Sequence, residues 1–212
     1  MENLAKVKAG KIHTKLSIRD LTLCGVMAAI GTILTYLRFP LPLMPPFMSF
    51  DFSGVVEMIG GFVMGPVAAL LIIVMKVLLV MVTQGSFSAG TGELQNVLLS
   101  SAYVLPAVLI YMRNRTKKMA VIGMIVGTVC CAITAVFTNM YLIIPFYASF
   151  FGMTMGDIIE MCQSVNPLVK GSWGLIIMGI IPFNLIKNGI ISLITYITYK
   201  KISAHIKNYI RR

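Results

Sequence analysis

Between Ile18 and Tyr199 the chain is a succession of long apolar stretches in which a charge is rare, and this limits the fold more than any motif does. A helix needs about 20 apolar residues to cross the hydrocarbon core of a bilayer. Such stretches run from about Ile18 to Leu37, Pro66 to Val82, Glu93 to Met112, Met119 to Pro145 and Trp173 to Tyr199. A sixth, Gly54 to Met64, is short for a full crossing. Asp51 and Ser53 stand where helix caps belong before it. The Pro-rich segment Phe39 to Phe47 cannot be helical, because proline removes donors and fixes φ. Charged residues make up only 12% of the 212, about half the share of a soluble domain, so the chain cannot coat a water-facing surface. The expected fold class is an all-α membrane protein, a six-transmembrane-helix bundle. One membrane domain would span 18–200, between basic tails at 1–17 and 201–212.

The net charge of +11 is not spread over a face. Fourteen of the 18 Lys and Arg residues form three clusters. These are Lys6, Lys8, Lys11, Lys15 and Arg19; Arg113, Arg115, Lys117 and Lys118; and Lys200, Lys201, Lys207, Arg211 and Arg212. Six crossings place all three on one side, and the positive-inside rule makes that side, with both termini, cytoplasmic. The Pro-rich loop, the Gln84–Gly92 loop and the 146–171 segment then face outward. The reading is a multi-pass protein of the bacterial cell membrane, partnered by lipid and not by nucleic acid. The first apolar run flows into a long span without a small-residue cleavage site, so it reads as a span and not as a signal peptide. The four cysteines show neither disulfide-framework nor zinc spacing, so no metal and no bound cofactor are expected.

Enzyme motifs are absent: His13 and His205 lie in the tails, and there is no HExxH, GxSxG or Walker A sequence. No catalytic residue is assigned. Ionisable residues inside a membrane are costly and mark function by default. Glu57, Lys76, Glu93 and Lys187 are of this kind. Glu57 and Lys76 read equally as a structural ion pair or as part of a site; Glu93 reads as a first-turn acid or a ligand contact. Asn184, Lys187 and Asn188 share one helical face, continued by Ser192. Gly123, Gly127, Cys131, Ala135 and Asn139 recur every four residues, a spacing that lets helices approach closely. Helix–helix glue explains either stripe alone. Three amides and a lysine near the same ends of two helices point to a ligand pocket, with Phe47, Phe50 and Tyr141 as flat walls. Gly25 and Ala29 form a small-residue pair that packs internally or docks a second membrane subunit.

Five segments carry a family resemblance: FDFS at 50–53, IGGFVMGP at 59–66, GTGEL at 90–94, YVLP at 103–106 and PFNLIK at 182–187. In this order they resemble the riboflavin-binding S components of energy-coupling factor (ECF) transporters, over nearly the whole chain. The resemblance implies a six-helix bundle that captures a vitamin outside the cell. It implies partners, one transmembrane coupling subunit and two cytoplasmic ATPases, and assigns Gly25 and Ala29 to the docking face. Lys76 is followed by VLLV where the family often has polar residues, a departure that bears on ligand preference. The chemistry of the residues agrees with a flavin. Its ring is flat and uncharged, its pyrimidine edge alternates carbonyls with one N–H, and an asparagine amide supplies both a donor and an acceptor. The other readings are an S component for another vitamin or base, a small ion-coupled carrier using Lys76, Glu57 and Lys187 as a relay, and a membrane enzyme.

Overall fold

A computed structural model describes residues 16–210 except 46 and 87, without the side chains of Phe151 and residues 200–210. Most of the 1–17 tail, with Lys6 to Lys15 and His13, and the side chains of the C-terminal cluster therefore lie outside the described residues. The elements are α1 (Ile18–Tyr36), a two-stranded hairpin of β1 (Phe39–Pro40) and β2 (Ser49–Phe50), α2 (Ser53–Met64), α3 (Pro66–Gln84), α4 (Thr91–Arg113) and α5 (Lys117–Thr138). A π-helical turn (Asn139–Ile143), α6 (Ile144–Phe151), α7 (Met155–Gln163), α8 (Gly171–Leu175), a second π turn (Ile176–Ile180) and α9 (Ile181–Ile210) follow. Helix α9 thus continues through the segment read as a C-terminal tail.

Local chemistry explains the boundaries. Ser17 caps α1 in a reciprocal box: its hydroxyl takes the Asp20 N–H at 3.2 Å and its own N–H donates to Asp20 at 3.0 Å. Thr116 caps α5 by accepting the Met119 N–H. The cap expected for α2 is different in kind. Phe52 occupies the cap position with no side-chain cap bond, and Asp51 instead accepts the Ser53 N–H at 2.9 Å. Gly65, at φ +100°, makes the reversal between α2 and α3, a conformation closed to most residues with a Cβ. The two π turns share a cause. Pro145 and Pro182 each follow a π turn by two residues, and the carbonyl four residues before each proline belongs to Tyr141 or Met178, at the middle of that turn. A proline ring clashes with that carbonyl in an α-helix; widening the turn relieves it.

Five helices or helix runs are long and apolar enough to cross a membrane: Ile18–Tyr36, Pro66–Gln84, Thr91–Arg113, Lys117–Phe150 and Gly171–Tyr199. At 12 residues, α2 is about 18 Å long, short of the ~30 Å hydrocarbon core. It is the bundle's axis, packed among α1, α3, α4 and α9 and mostly buried. Gly60 and Gly61 allow this, since a Cβ there would collide with Ile72 and with Val108. The α4–α5 seam is equally tight: Gly123 and Gly127 lie against the backbone carbonyls of Ala107 and Tyr103. The stripe read as glue is therefore glue over its first two members.

The bundle has two distinct ends. Cys24 approaches the Ala68 carbonyl, Gly65 lies beside Met112, and Tyr111 bonds Tyr199 at 2.8 Å, which gathers the start of α1, the α2–α3 turn, the end of α4 and the later part of α9. We call this the tail end. The hairpin, the 85–90 loop, both π turns and α7 lie at the other, the hairpin end, where Tyr36 on α1 bonds Thr83 on α3 at 2.5 Å.

Candidate functional site

The hairpin end contains two cavities, of about 270 Å³ and about 70 Å³, which share Asn96, Leu99, Phe183 and Lys187 in their walls. Pockets for small molecules begin at roughly 300 Å³, so the pair together is of that size. The larger is walled by Phe47 and Met48 from the hairpin, Val77 and Val80 from α3, Leu99 from α4, and Ile143, Tyr147 and Phe183. The 84–95 segment brings four polar side chains to its wall, Gln84, Ser88, Glu93 and Gln95. Glu93 is held there by the loop before it, accepting from Ser86 at 2.9 Å and Ser88 at 3.2 Å. The same serines accept the Gly90 and Gly92 N–H groups, so the loop is tied around the carboxylate.

The smaller cavity is the polar one. Asn184, Lys187 and Asn188 line it from α9, with Asp51, Ser53 and Glu57 opposite and Asn96, Ser100 and Tyr103 from α4. Asn184 donates to the Ile180 carbonyl at 2.8 Å, inside the second π turn, and accepts from the Cys131 thiol at 3.7 Å. Tyr103 bonds Ser192 at 2.7 Å, closing the floor.

Buried Lys76 and part-buried Lys187 are both paired, and the pairs are joined. Lys76 lies 2.6 Å from a Glu57 carboxylate oxygen, each only 1% exposed. The contact is ionic and off the hydrogen-bonding axis: neither Glu57 oxygen accepts a hydrogen bond, and the Lys76 ammonium donates instead to Ser53 at 3.1 Å and Asn96 at 3.0 Å. Ser53 donates in turn to Asp51, and Asp51 receives the Lys187 ammonium at 2.8 Å. The line Glu57–Lys76–Ser53–Asp51–Lys187 thus runs from α2 and α3 to α9 beneath the larger cavity. Burial pushes the Asp51 carboxyl up, but the Lys187 and Lys76 charges and the bonds from Lys187 and Ser53 outweigh it and hold the group well below the usual carboxylate range.

The structure brings together Lys187, Asn184, Asn188, Glu93 and Phe47 around the cavities. It does not bring the other three candidates into their walls. Asn139 is buried, but its amide bonds back to the Ala135 carbonyl at 2.7 Å. Phe50 is buried between Phe39 and Phe52, an aromatic clamp on the hairpin. Tyr141 is 79% exposed and stacks on Phe137, so it is no cavity wall; the π turn rotates it to the outside. The first helix divides its small residues. Ala28 and Gly31 pack inward, Gly25 faces Met75, and Ala29 is exposed. Asn96, Ser100 and Tyr103 were missed as pocket groups, although with Glu93 they make a polar stripe at helical spacing on an otherwise apolar helix. Among the described residues, no three His, Cys, Asp or Glu side chains gather to hold a metal.

The architecture is that of a helical membrane bundle with a ligand-sized pocket at one end, floored by amides and paired charges. A family model described as the ECF transporter substrate-specific component matches residues 19–199, and the chain belongs to that family. The riboflavin transporter RibU of Staphylococcus aureus is 30% identical over 199 residues, covering 93% of this chain and 96% of the relative. The riboflavin transporter FmnP of Bacillus subtilis is 24% identical, covering 91% and 96%. A solved S component of a bacterial ECF transporter superposes with a TM-score of 0.69 at 26% identity, covering 89% of this chain and 98% of the other.

Proposed function

We propose that the chain is the riboflavin-capturing subunit of an ATP-driven ECF-type importer. The observation that carries this reading is the joined pair of cavities. An aromatic and aliphatic slot between Phe47, Leu99, Ile143, Tyr147 and Phe183 opens onto a floor of amides and a lysine. The slot suits a flat ring, the floor at Asn184, Lys187 and Asn188 suits its pyrimidine edge, and the polar segment at Gln84, Ser88, Glu93 and Gln95 suits a polyhydroxylated tail. The names of the two curated relatives support the same ligand. Absorption spectroscopy of the purified protein tests it: a co-purified flavin colours the sample yellow, and riboflavin fluorescence is quenched on titration of the emptied protein. A colourless protein that leaves riboflavin fluorescence unchanged refutes it.

In this reading the chain crosses the cell membrane six times with both ends in the cytoplasm, α2 completing a crossing inside the bundle. The hairpin end faces outward. Transport requires a transmembrane coupling subunit and two ATPases, and Ala29, with Gly25 beside it, belongs to the docking face. Gly25→Leu with Ala29→Leu then abolishes uptake in cells carrying the ATPase module while riboflavin titration of the isolated subunit is unchanged. Loss of both activities assigns the pair to internal packing.

A further inference from the structure

We infer that Glu93 decides between riboflavin and its 5′-phosphate: it fills the anion seat at the head of α4 from within the chain, so the tail subsite takes a hydroxyl end and turns away a phosphate. This rests on the flavin reading above, which seats the tail at Gln84, Ser88, Glu93 and Gln95.

The head of α4 has the makings of a phosphate site. A Gly-rich stretch, Ala89 to Gly92, leads into the first turn, and backbone N–H groups at a helix N-terminus attract anions. Here those groups are already taken. Ser86 accepts the Gly90 N–H at 2.7 Å, Ser88 accepts the Gly92 N–H at 2.9 Å, and the Ser88 carbonyl accepts the Thr91 N–H at 3.0 Å. A Cβ at Gly92 would fall 2.7 Å from the Ser88 hydroxyl oxygen, so the seat has no slack. Each serine hydroxyl has one proton, and each gives it to Glu93 Oε2, at 2.9 Å and 3.2 Å. The carboxylate thus sits where an incoming anion would, against the positive end of the helix.

Glu93 also lines the larger cavity. A carboxylate has about four acceptor sites and the serines use two, so it can accept from a tail hydroxyl. A phosphate monoester carries a charge of about −1.5 to −2 near neutral pH and would meet the carboxylate with like charge. The N–H groups and hydroxyl protons it would need are spent. The three cations of the larger cavity do not change the outcome. Lys76 and Lys187 answer Glu57 and Asp51, and Arg38 is exposed, where water and salt screen its charge. Glu93 is thus a specificity-determining residue that reads the end of the tail.

The test titrates three flavins by fluorescence quenching against the purified full chain: riboflavin, riboflavin 5′-phosphate, and lumiflavin, whose ring carries a methyl group in place of the tail. The wild type is expected to prefer riboflavin to the phosphate. Glu93→Gln, nearly isosteric, is expected to move that ratio toward the phosphate by about tenfold or more, the scale of removing one unit charge beside an anion, and to leave lumiflavin binding unchanged. Glu93→Asp, which keeps the charge, should keep the preference. Ser86→Ala, outside the cavity walls, frees the Gly90 N–H and removes one bond to the carboxylate. It should move the ratio in the same direction by less, and gives the reading if Glu93→Gln does not fold. An unmoved ratio, or equal weakening of all three flavins, makes Glu93 a structural cap and overturns the assignment. A wild type that prefers the phosphate, or does not distinguish the two, overturns it as well. A wild type that binds none of the three refutes instead the flavin reading beneath it.

Discussion

The two ends of the bundle solve opposite problems with the same helices. At the tail end and along the α4–α5 seam that rises from it, helices meet through glycine and through aromatic rings: Gly61 takes Val108, Gly123 and Gly127 take the α4 backbone, and Phe62, Tyr111 and Tyr199 pack as tilted and edge-to-face rings with centroids 4.5–6.0 Å apart. At the hairpin end the same α2, α3, α4 and α9 are held apart. Their polar groups there are Glu57, Lys76, Asn96, Asn184, Lys187 and Asn188, and the space between them is cavity. The π turns lie on this side. Lipid tails supply no hydrophobic drive between membrane helices, so close packing and hydrogen bonds must hold the bundle. The tail end carries the first duty, which frees the hairpin end to keep a void with buried charges around it.

That division is most directly broken at Gly127. A side chain there meets the Tyr103 carbonyl on the backbone of α4, which cannot rotate away. Gly127→Leu is expected to cost about 3 kcal/mol or more, at the upper end for overpacking, and to lower folded yield in size-exclusion chromatography together with riboflavin binding. A variant that folds and binds normally would mean that the α4–α5 seam is not the clamp.

Asn184→Leu probes the opposite end and should separate the two properties. It removes a buried amide from the floor of the smaller cavity and leaves ligand and Cys131 groups without a partner. The expected loss is about 1–3 kcal/mol of flavin affinity, with the protein still monodisperse. Unchanged affinity by fluorescence titration would take Asn184 out of the site.

These two residues also show what the sequence makes legible. Gly127 and Asn184 were both visible as members of stripes, because helical spacing is a local property and places side chains on a face before any packing is known. The same extrapolation failed past Thr138. Asn139 was read on an α-helical period and Tyr141 as an aromatic wall, but both fall in the π turn before Pro145, where that period no longer holds. Asp51 was read as a cap because the α2 start is four residues or fewer away. Its main partner, Lys187, is 136 residues distant, and no local pattern announces it. The five long apolar helices were legible from hydropathy. The burial of α2 was not, since its Gly60 and Gly61 acquire meaning only when Ile72 and Val108 arrive against them.

A smaller effect tests whether the aromatic cluster at the tail end is independent of the pocket. Tyr199→Phe removes one buried hydrogen bond, to Tyr111 at 2.8 Å, and keeps the ring that packs edge-to-face on Phe62 and Tyr111. The expected cost is about 1 kcal/mol of stability, seen as a lower thermal midpoint, with riboflavin affinity unaltered. A change in affinity would couple the two ends through α9 and remove the contrast between them.

The smallest expected effect is a flat line. Asp51 is a buried carboxylate of the hairpin end whose surroundings depress its pKa in the folded chain. A depressed carboxylate contributes stability that is fully present above its unfolded pKa, near 4, and is lost as pH falls through the folded value. The difference in thermal midpoint between the wild type and Asp51→Asn should therefore stay constant from about pH 8 to about pH 5. It should begin to shrink only below about pH 4, where the unfolded chain starts to hold the proton. Working with the difference removes every other titrating group, including the tyrosines of the tail end, from the measurement. A difference that already declines between about pH 7 and about pH 5 would mean that Asp51 takes up a proton in the folded state near neutrality. Lys187 would then be uncovered there, and the hairpin end would change its charge within the working range.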